Sequence, residues 1–181
     1  ASASINGTYL IDQPIRNYSF TGIGGLVNFK DSQYGEIRFL QPINGSGTNL
    51  SDQVRIGNNS VTVESGTKPG LNRSANITLY GIGERGFAPA FISVMRDGNP
   101  CGNLCYNFTA LNAPSVSFNV SYWTNYSIGE GLTSCGVLNV SNREYTQIAG
   151  ITPTTSPCIN ITAQNVTFNG NIDGLLFSHN P

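Results

Sequence analysis

Charge is what this chain has least of. Nine Lys and Arg and ten Asp and Glu in 181 residues leave a charged share of 10% and a formal net charge of -1, against about 25% charged in an ordinary globular domain. A surface of this kind has no electrostatic reason to seek nucleic acid or an anionic bilayer. Histidine is scarcer still, with His179 alone. A Ser-His-Asp triad must pass through it, and no Gly-x-Ser-x-Gly elbow accompanies it. The acidic pairs, Asp31 with Glu36 and Asp52 with Glu64, lie around turns where solvated carboxylates are the ordinary expectation, so no acid-base dyad stands out. No apolar run nears the ~20 residues that a membrane-spanning helix needs. A 3.6-residue apolar period is missing as well, which removes the case for helices.

Short runs of alternating residues are plentiful. Ser115 to Trp123 puts Val116, Phe118, Val120 and Tyr122 on one face and Ser117, Asn119, Ser121 and Trp123 on the other, the mark of a half-buried strand. Further strands are expected at Tyr34 to Leu40, Val54 to Ile56, Ser60 to Glu64, Ala75 to Tyr80, Ala90 to Arg96, Leu104 to Ala110, Gly136 to Val140, Glu144 to Ala149, Cys158 to Phe168 and Ile172 to Phe177. Between them Asp31 to Gln33, Pro42 to Asp52, Lys68 to Gly70, Asp97 to Pro100 and Thr152 to Pro157 read as turns and loops. More than ten short strands without helices predict an all-β fold, an antiparallel β-sandwich of the immunoglobulin-like or pilin-like kind. No internal repeat, long linker or second domain stands out. The expected division is a tail over 1–13 and one sandwich over 14–181.

Gly81-Ile82-Gly83-Glu84-Arg85-Gly86 has the letters of a dinucleotide fingerprint. The residues after it do not open a helix, so no helix dipole is available to hold a pyrophosphate, and a Gly-rich turn is expected. Tyr122-Trp123-Thr124-Asn125-Tyr126 reads as strand and loop aromatics, partly packed, ahead of a platform for sugar rings.

Four cysteines, Cys101, Cys105, Cys135 and Cys158, fit two disulfides and an oxidising exterior. Three connectivities are open. The short Gly102-Asn103-Leu104 turn favours Cys101 with Cys105, which leaves Cys135 with Cys158. The spacing does not suit a zinc ribbon, and neither a metal nor a catalytic residue is expected.

With so little charge, another source of solubility is needed. Thirteen Asn-x-Ser/Thr sequons occur, at Asn6, Asn17, Asn44, Asn49, Asn58, Asn72, Asn76, Asn107, Asn119, Asn125, Asn139, Asn160 and Asn165. In nine the middle residue is apolar (Tyr18, Leu50, Ile77, Phe108, Val120, Tyr126, Val140, Ile161, Val166). In a strand this sets Asn and hydroxyl on one face and the apolar residue on the other, glycan out and core in. Covalent N-linked glycans are the only non-protein groups expected. Few carboxylates also mean few native ion pairs to lose in acid, so stability is expected to change little between pH 7 and pH 2.

The first eleven residues carry the clearest long alternation. Ala1, Ala3, Ile5, Gly7, Tyr9 and Ile11 fall on one side of a strand, with Ser2, Ser4, Asn6, Thr8 and Leu10 on the other. Pro14 then stiffens the chain and removes a backbone donor. Such a strand is able to pair away from its own neighbours and insert into another subunit. An ordinary first strand of a sandwich is the alternative. No leader is visible ahead of Ala1, which reads as the start of a mature secreted form, and no lipid-anchor signal is visible at the other end.

An alternating tail with a central glycine ahead of an all-β body resembles the donor-strand pilins of type-1-like pili. The sequon density, low charge and Asn/Ser/Thr/Tyr-rich style look more like the thread pilins of crenarchaeal thermoacidophiles of the Sulfolobus type. The resemblance implies that Ala3, Ile5, Gly7, Tyr9 and Ile11 occupy successive pockets of the adjacent subunit. It implies a head-to-tail homopolymer at the cell surface, an extracellular filament serving adhesion or cell contact, with no enzymatic activity and no nucleic-acid partner. Two features depart from the bacterial pattern: Asn180 stands where a penultimate tyrosine is common, and four cysteines replace one disulfide. Chaperone-usher assembly is therefore not implied. The rival class is a glycan-shielded viral envelope domain with lectin-like receptor binding, whose first strand pairs within its own chain. A secreted carbohydrate-active enzyme comes third.

Overall fold

The computed structural model of the chain describes residues 7–22, 24–87 and 91–170. Ala3, Ile5, Asn6, His179 and the strand expected over 172–177 lie outside the described residues. Packing divides the chain into two compact units, one of Ala1–Gly86 with Val94–Ile128 and one of Phe87–Ser93 with Gly129–Pro181. No linker marks the division in the sequence, because the chain passes from one unit to the other inside a continuous strand, Asn125–Glu130.

Strands dominate, and among the described residues no α-helix occurs, only single 3-10 turns. In chain order they are β1 (Thr8–Leu10), β2 (Arg16–Ser19), β3 (Asn28–Asp31), β4 (Gly35–Phe39), β5 (Ser46–Asn49), β6 (Val54–Gly57), β7 (Ser60–Val63), β8 (Ala75–Tyr80), β9 (Ile92–Arg96), β10 (Asn99–Pro100), β11 (Cys105–Asn107), β12 (Ser115–Val120), β13 (Asn125–Glu130), β14 (Gly136–Leu138), β15 (Arg143–Thr146), β16 (Ile159–Ile161) and β17 (Val166–Asn169). One sheet runs β1-β3-β4-β8-β12-β11 and another β10-β9-β13-β7-β6, with β2 and β5 as a separate pair. Pairing is antiparallel throughout the first sheet except at β1, which lies parallel to β3.

In the first unit the alternation read from sequence becomes a buried layer. Ala75, Ile77 and Leu79 of β8, Val116, Phe118 and Val120 of β12, and Val61 and Val63 of β7 are all buried, while their neighbours in the same strands are half-buried or exposed. Burying such a side chain contributes roughly 1.5–3 kcal/mol. A row of rings runs through this core: Tyr9 against Phe20 at 5.5 Å, Phe20 against Phe29 at 5.5 Å, Phe29 against Phe39 at 5.9 Å, Phe39 against Trp123 at 5.5 Å, Trp123 against Tyr126 at 6.1 Å. Edge-to-face geometry recurs along it, as ring quadrupoles prefer. Gly35 opens β4 at φ 150, and a Cβ there would sit 2.1 Å from the Thr78 carbonyl oxygen across the β4–β8 pair. Only glycine fits that approach.

Several elements differ from the sequence expectation: Asp97 to Pro100 holds β10, and the single strand expected over Cys158 to Phe168 is split into β16 and β17. Pro42 to Asp52 holds β5, paired with β2 through Arg16 with Asn49 and Tyr18 with Gly47. β12 ends at Val120, so the alternation stops there: Trp123 turns inward, 3% exposed, while Tyr122 is 56% exposed, the reverse of the faces expected. The Trp123 indole N–H donates to the Arg73 carbonyl at 2.6 Å, which satisfies it inside the core.

The second unit packs Phe91, Leu132, Leu138, Tyr145 and Ile151 into a core of its own, with Val140, Ile159, Val166 and Phe168 against it. Its strands are parallel. Gly136 pairs with Ile159 and Arg143 with Val166, a constant offset of 23 residues. Cys135 and Cys158 are joined across the same offset, and Asn165 donates its side-chain amide to that of Asn142 at 3.0 Å. Asn142 and Asn165 both take left-handed backbone angles, φ 58 and 53. Two coils thus lie side by side, a geometric repeat where no sequence repeat was expected. The other disulfide joins Cys101 to Cys105, so the pairing favoured by the short turn is the one present.

Candidate functional site

The expected tail strand is described from Gly7 onward. Gly7, Tyr9 and Ile11 are half-buried while Thr8 and Leu10 are exposed, so the face chosen from the alternation is the inward one. The strand adds to the edge of β3 in register Thr8 with Asn28, Tyr9 with Phe29 and Leu10 with Lys30. Its ends are held by the Asn28 N–H donating to the Gly7 carbonyl at 3.1 Å and the Ile11 N–H donating to the Lys30 carbonyl at 2.8 Å. Tyr9 is the end ring of the aromatic row, touching Phe20 and Phe29. Burial raises its phenol above the ordinary value, and its hydroxyl has no hydrogen-bond partner. Residues 8–10 therefore pair within the chain that carries them.

The connection to β2 is short. Asp12 accepts the Ser32 N–H at 2.8 Å and also the Ser32 hydroxyl, and these two bonds, with Lys30 nearby, hold its carboxyl below the usual carboxylate range. Pro14 follows. Beside this connection lies a cavity of about 520 Å³, lined by Ile11, Ile15, Leu50, Val54 and Ile56 among others. β6, which supplies part of that lining, is the last strand of its sheet.

The twelve sequon asparagines among the described residues all reach the surface. Asn17, Asn44, Asn58, Asn72, Asn107, Asn125, Asn139, Asn160 and Asn165 are exposed, and Asn49, Asn76 and Asn119 are half-buried. Of the apolar middle residues, Tyr18, Leu50, Ile77, Val120 and Tyr126 are buried, whereas Phe108 and Ile161 stay exposed. Several of these asparagines also serve the fold. Asn49 donates to Asp52 at 2.8 Å, Asn125 to the Thr62 hydroxyl at 3.0 Å, and Asn72 accepts the Trp123 N–H at 3.0 Å.

On the outer face of the first sheet the polar residues fall into cross-strand rows. Asn28, Arg38, Asn76, Asn119 and Tyr106 lie directly opposite one another from β3 to β11. In the next row the Thr78 and Ser117 hydroxyls meet at 2.9 Å. Sequence reading missed this alignment, since it depends on which strands are neighbours.

The other candidates carry no constellation. Gly83–Arg85 is a single 3-10 turn closed by Gly86 in the left-handed region, and β9 is the next described element, so no helix follows the glycine-rich stretch. Asp31 accepts the Gln33 and Tyr34 N–H groups at 2.9 Å as a turn, and Glu64 pairs with Arg55 on the surface. Among the described residues no cluster of His, Cys, Asp or Glu is arranged to hold a metal. No helix among them is long and apolar enough to cross a membrane. The two disulfides fit an oxidising compartment. No protein-family model matches the chain, and no curated protein matches it.

Proposed function

We propose that this chain is the structural subunit of an extracellular, N-glycosylated filament, polymerising head to tail by exchange of the strand over residues 1–13. The observation that carries the reading is β1 itself. It is a three-residue edge strand, half-buried on one side only, tied to β2 by a five-residue connection that includes Pro14. The slot beside β3 takes Gly7, Tyr9 and Ile11 inward, and its fit is independent of which copy supplies them. A strand that leaves its own body and enters an identical slot in the next copy makes a heterologous contact, and repetition of that contact gives an open fibre. Ala3 and Ile5 continue the same alternation in the sequence, outside the described residues. The sequon asparagines on the surface of a nearly uncharged body support the glycosylated exterior, and the disulfides support an oxidising location.

The test is electron microscopy of the purified protein beside a variant lacking residues 1–13. Fibres from the full chain and unpolymerised, aggregation-prone particles from the truncated one are the expected result; fibres from both overturn the reading. The pairing of Thr8–Leu10 with β3 of the same chain favours a second reading, a self-contained secreted glycoprotein such as a glycan-shielded binding domain. Discrete particles from the full chain at every concentration select that one.

A further inference from the structure

We infer that Asn119 carries a glycan whose first sugar ring lies on the Tyr106 and Phe108 side chains, and that Asn76, its cross-strand neighbour, stays unmodified. The inference rests on the glycosylated-surface reading above and assigns one site within it. Four observations converge.

Asn76 and Asn119 stand directly opposite each other on β8 and β12, each the first residue of a sequon. Opposed side chains of this kind start about 4.5–5.5 Å apart. Two branched sugars rooted there would compete for one space, so the pair has room for one. The hydrogen bond between them separates their roles. Asn76 donates its Nδ2 to the Asn119 Oδ1 at 3.1 Å. An amide carries oxygen and nitrogen on opposite sides of its carbon, so with Oδ1 turned toward β8 the Asn119 Nδ2 is turned toward β11. β12 lies between β8 and β11, and the residue opposite Asn119 on β11 is Tyr106.

Tyr106 is 68% exposed and Phe108 55%. Their rings meet edge to face at 5.0 Å and 71°. The Phe108 N–H donates to the Ser117 carbonyl at 2.9 Å, which fixes the second ring on the same strand margin. Two large exposed aromatic side chains in contact with each other beside a sequon nitrogen form a platform for the apolar face of a sugar ring. The occupant is the ring that Asn119 itself would bear. A glycan on Asn119 leaves its Oδ1 accepting from Asn76, so the modification keeps the existing bond.

The chemistry is a glycosyl transfer from a lipid-linked sugar phosphate by a separate transferase. The Asn119 Nδ2 forms a bond to the anomeric carbon, the bond from that carbon to the phosphate oxygen breaks, one amide proton is lost, and the lipid phosphate leaves.

Glycopeptide mass spectrometry of the natively produced protein tests the site. The expected result is near-complete occupancy at Asn119 and none at Asn76. Sugar at other sequons with Asn119 bare overturns this inference and leaves the glycosylated surface standing, and so does full occupancy at both asparagines. Sugar at no sequon overturns both readings. The platform is tested with Tyr106→Ala, at a side chain 68% exposed. Enzymatic removal of glycans is expected to lower the melting temperature of the native protein by several degrees and that of the variant by at most half as much. Equal drops overturn the stacking. So does shielding of Tyr106 from chemical iodination that survives deglycosylation and arises only in polymerised protein, which would assign the platform to a second copy.

Discussion

Replacing Tyr9 by Ala tests the tail at its most informative residue. Tyr9 closes the aromatic row against Phe20 at 5.5 Å and Phe29 at 5.9 Å, and it is half-buried. Truncating a fully buried aromatic residue costs 3–5 kcal/mol, so half the burial sets the loss at about 2 kcal/mol, near thirty-fold in an equilibrium constant. For a chain of this size that corresponds to roughly 4–8 °C in melting temperature. Where the loss shows depends on which copy owns the strand. With exchange, the missing ring weakens a contact between subunits, so fibres of Tyr9→Ala shed subunits at lower dilution and lower temperature, and the transition shifts with protein concentration. With the strand retained in its own body, the same loss is a concentration-independent drop in the unfolding midpoint. Tyr9→Phe is the control. The hydroxyl is buried without a partner, so its removal is expected to be neutral or stabilising by up to about 1 kcal/mol. Scanning calorimetry across a hundred-fold range of concentration, with microscopy of each sample, reads both outcomes. A Tyr9→Ala protein with unchanged midpoint and unchanged fibres refutes the packing argument, and a concentration-independent drop without fibres refutes the exchange.

Gly35→Ala is expected to destabilise the first unit by about 3 kcal/mol or more, since its Cβ would meet the Thr78 carbonyl oxygen at 2.1 Å and neither backbone can yield cheaply; a chemical-denaturation midpoint within error of the parent counts against it. Converting Cys135 and Cys158 to Ser opens a cross-link of sequence separation 23, worth about 3 kcal/mol of chain entropy, and hydrogen exchange should show the loss confined to the second unit. Burial raises the phenols of Tyr9, Tyr18, Tyr80 and Tyr126. A group whose folded value is raised gives a contribution present below its unfolded value and lost above it, so stability should hold to about pH 10 and fall as pH rises further; a flat melting temperature from pH 9 to pH 11.5 would contradict this. Asp12 has the opposite sign: its carboxyl is held low by Ser32, so its contribution is present above the usual carboxylate range and lost as pH falls through the folded value. Asp12→Asn should therefore remove a small acid-sensitive part of the tail's protection against proteolysis, and an unchanged cleavage rate at Gly7–Pro14 between pH 6 and pH 2 in the parent would argue against the latch.

The elements that could be read from the sequence are those whose partners do not matter. Ala75 to Tyr80 alternates strictly and is β8 to the residue, because an apolar row every second position needs one buried face wherever the strand sits. Ser46–Asn49 has no such row. It is strand only because β2 offers backbone partners, so its Gly/Asn/Ser composition reads as loop. The parallel coils of the second unit are harder still. Cys135 with Cys158, Asn142 with Asn165 and Tyr145 with Phe168 share their chemistry, while Arg143 faces Val166 across the same offset. Backbone pairing at constant register does not require identical side chains, so a few scattered matches, Leu138 with Ile161 among them, are too few to stand out. At the sequon-bearing face the asparagines and their outward direction were legible. Their pairing across strands was not, because the neighbour of β12 in space is fixed by sheet order.

The same logic sets the limit at the tail. Alternation assigned Gly7, Tyr9 and Ile11 to the inward face, and that is their face in the slot. It is silent on ownership because the contacts are the same atoms in either case. A strand in its own slot and a strand in the slot of an identical copy form the same bonds to β3 and bury the same rings, so those terms cancel in the comparison. What remains is the connection over residues 11–15 and the concentration of neighbours. A flexible short linker gives its own strand an effective concentration in the millimolar range, and a subunit delivered alone pairs with itself. Exchange wins where the connection resists folding back or where subunits arrive at a growing end already crowded. Pro14 resists, because its fixed φ removes freedom that a close return would use. The two bonds from Ser32 to Asp12 act the other way and hold the strand at home. In the proposed filament the balance between polymer and monomer rests on the five residues of that connection, and a small change there redirects a much larger set of contacts without altering any of them.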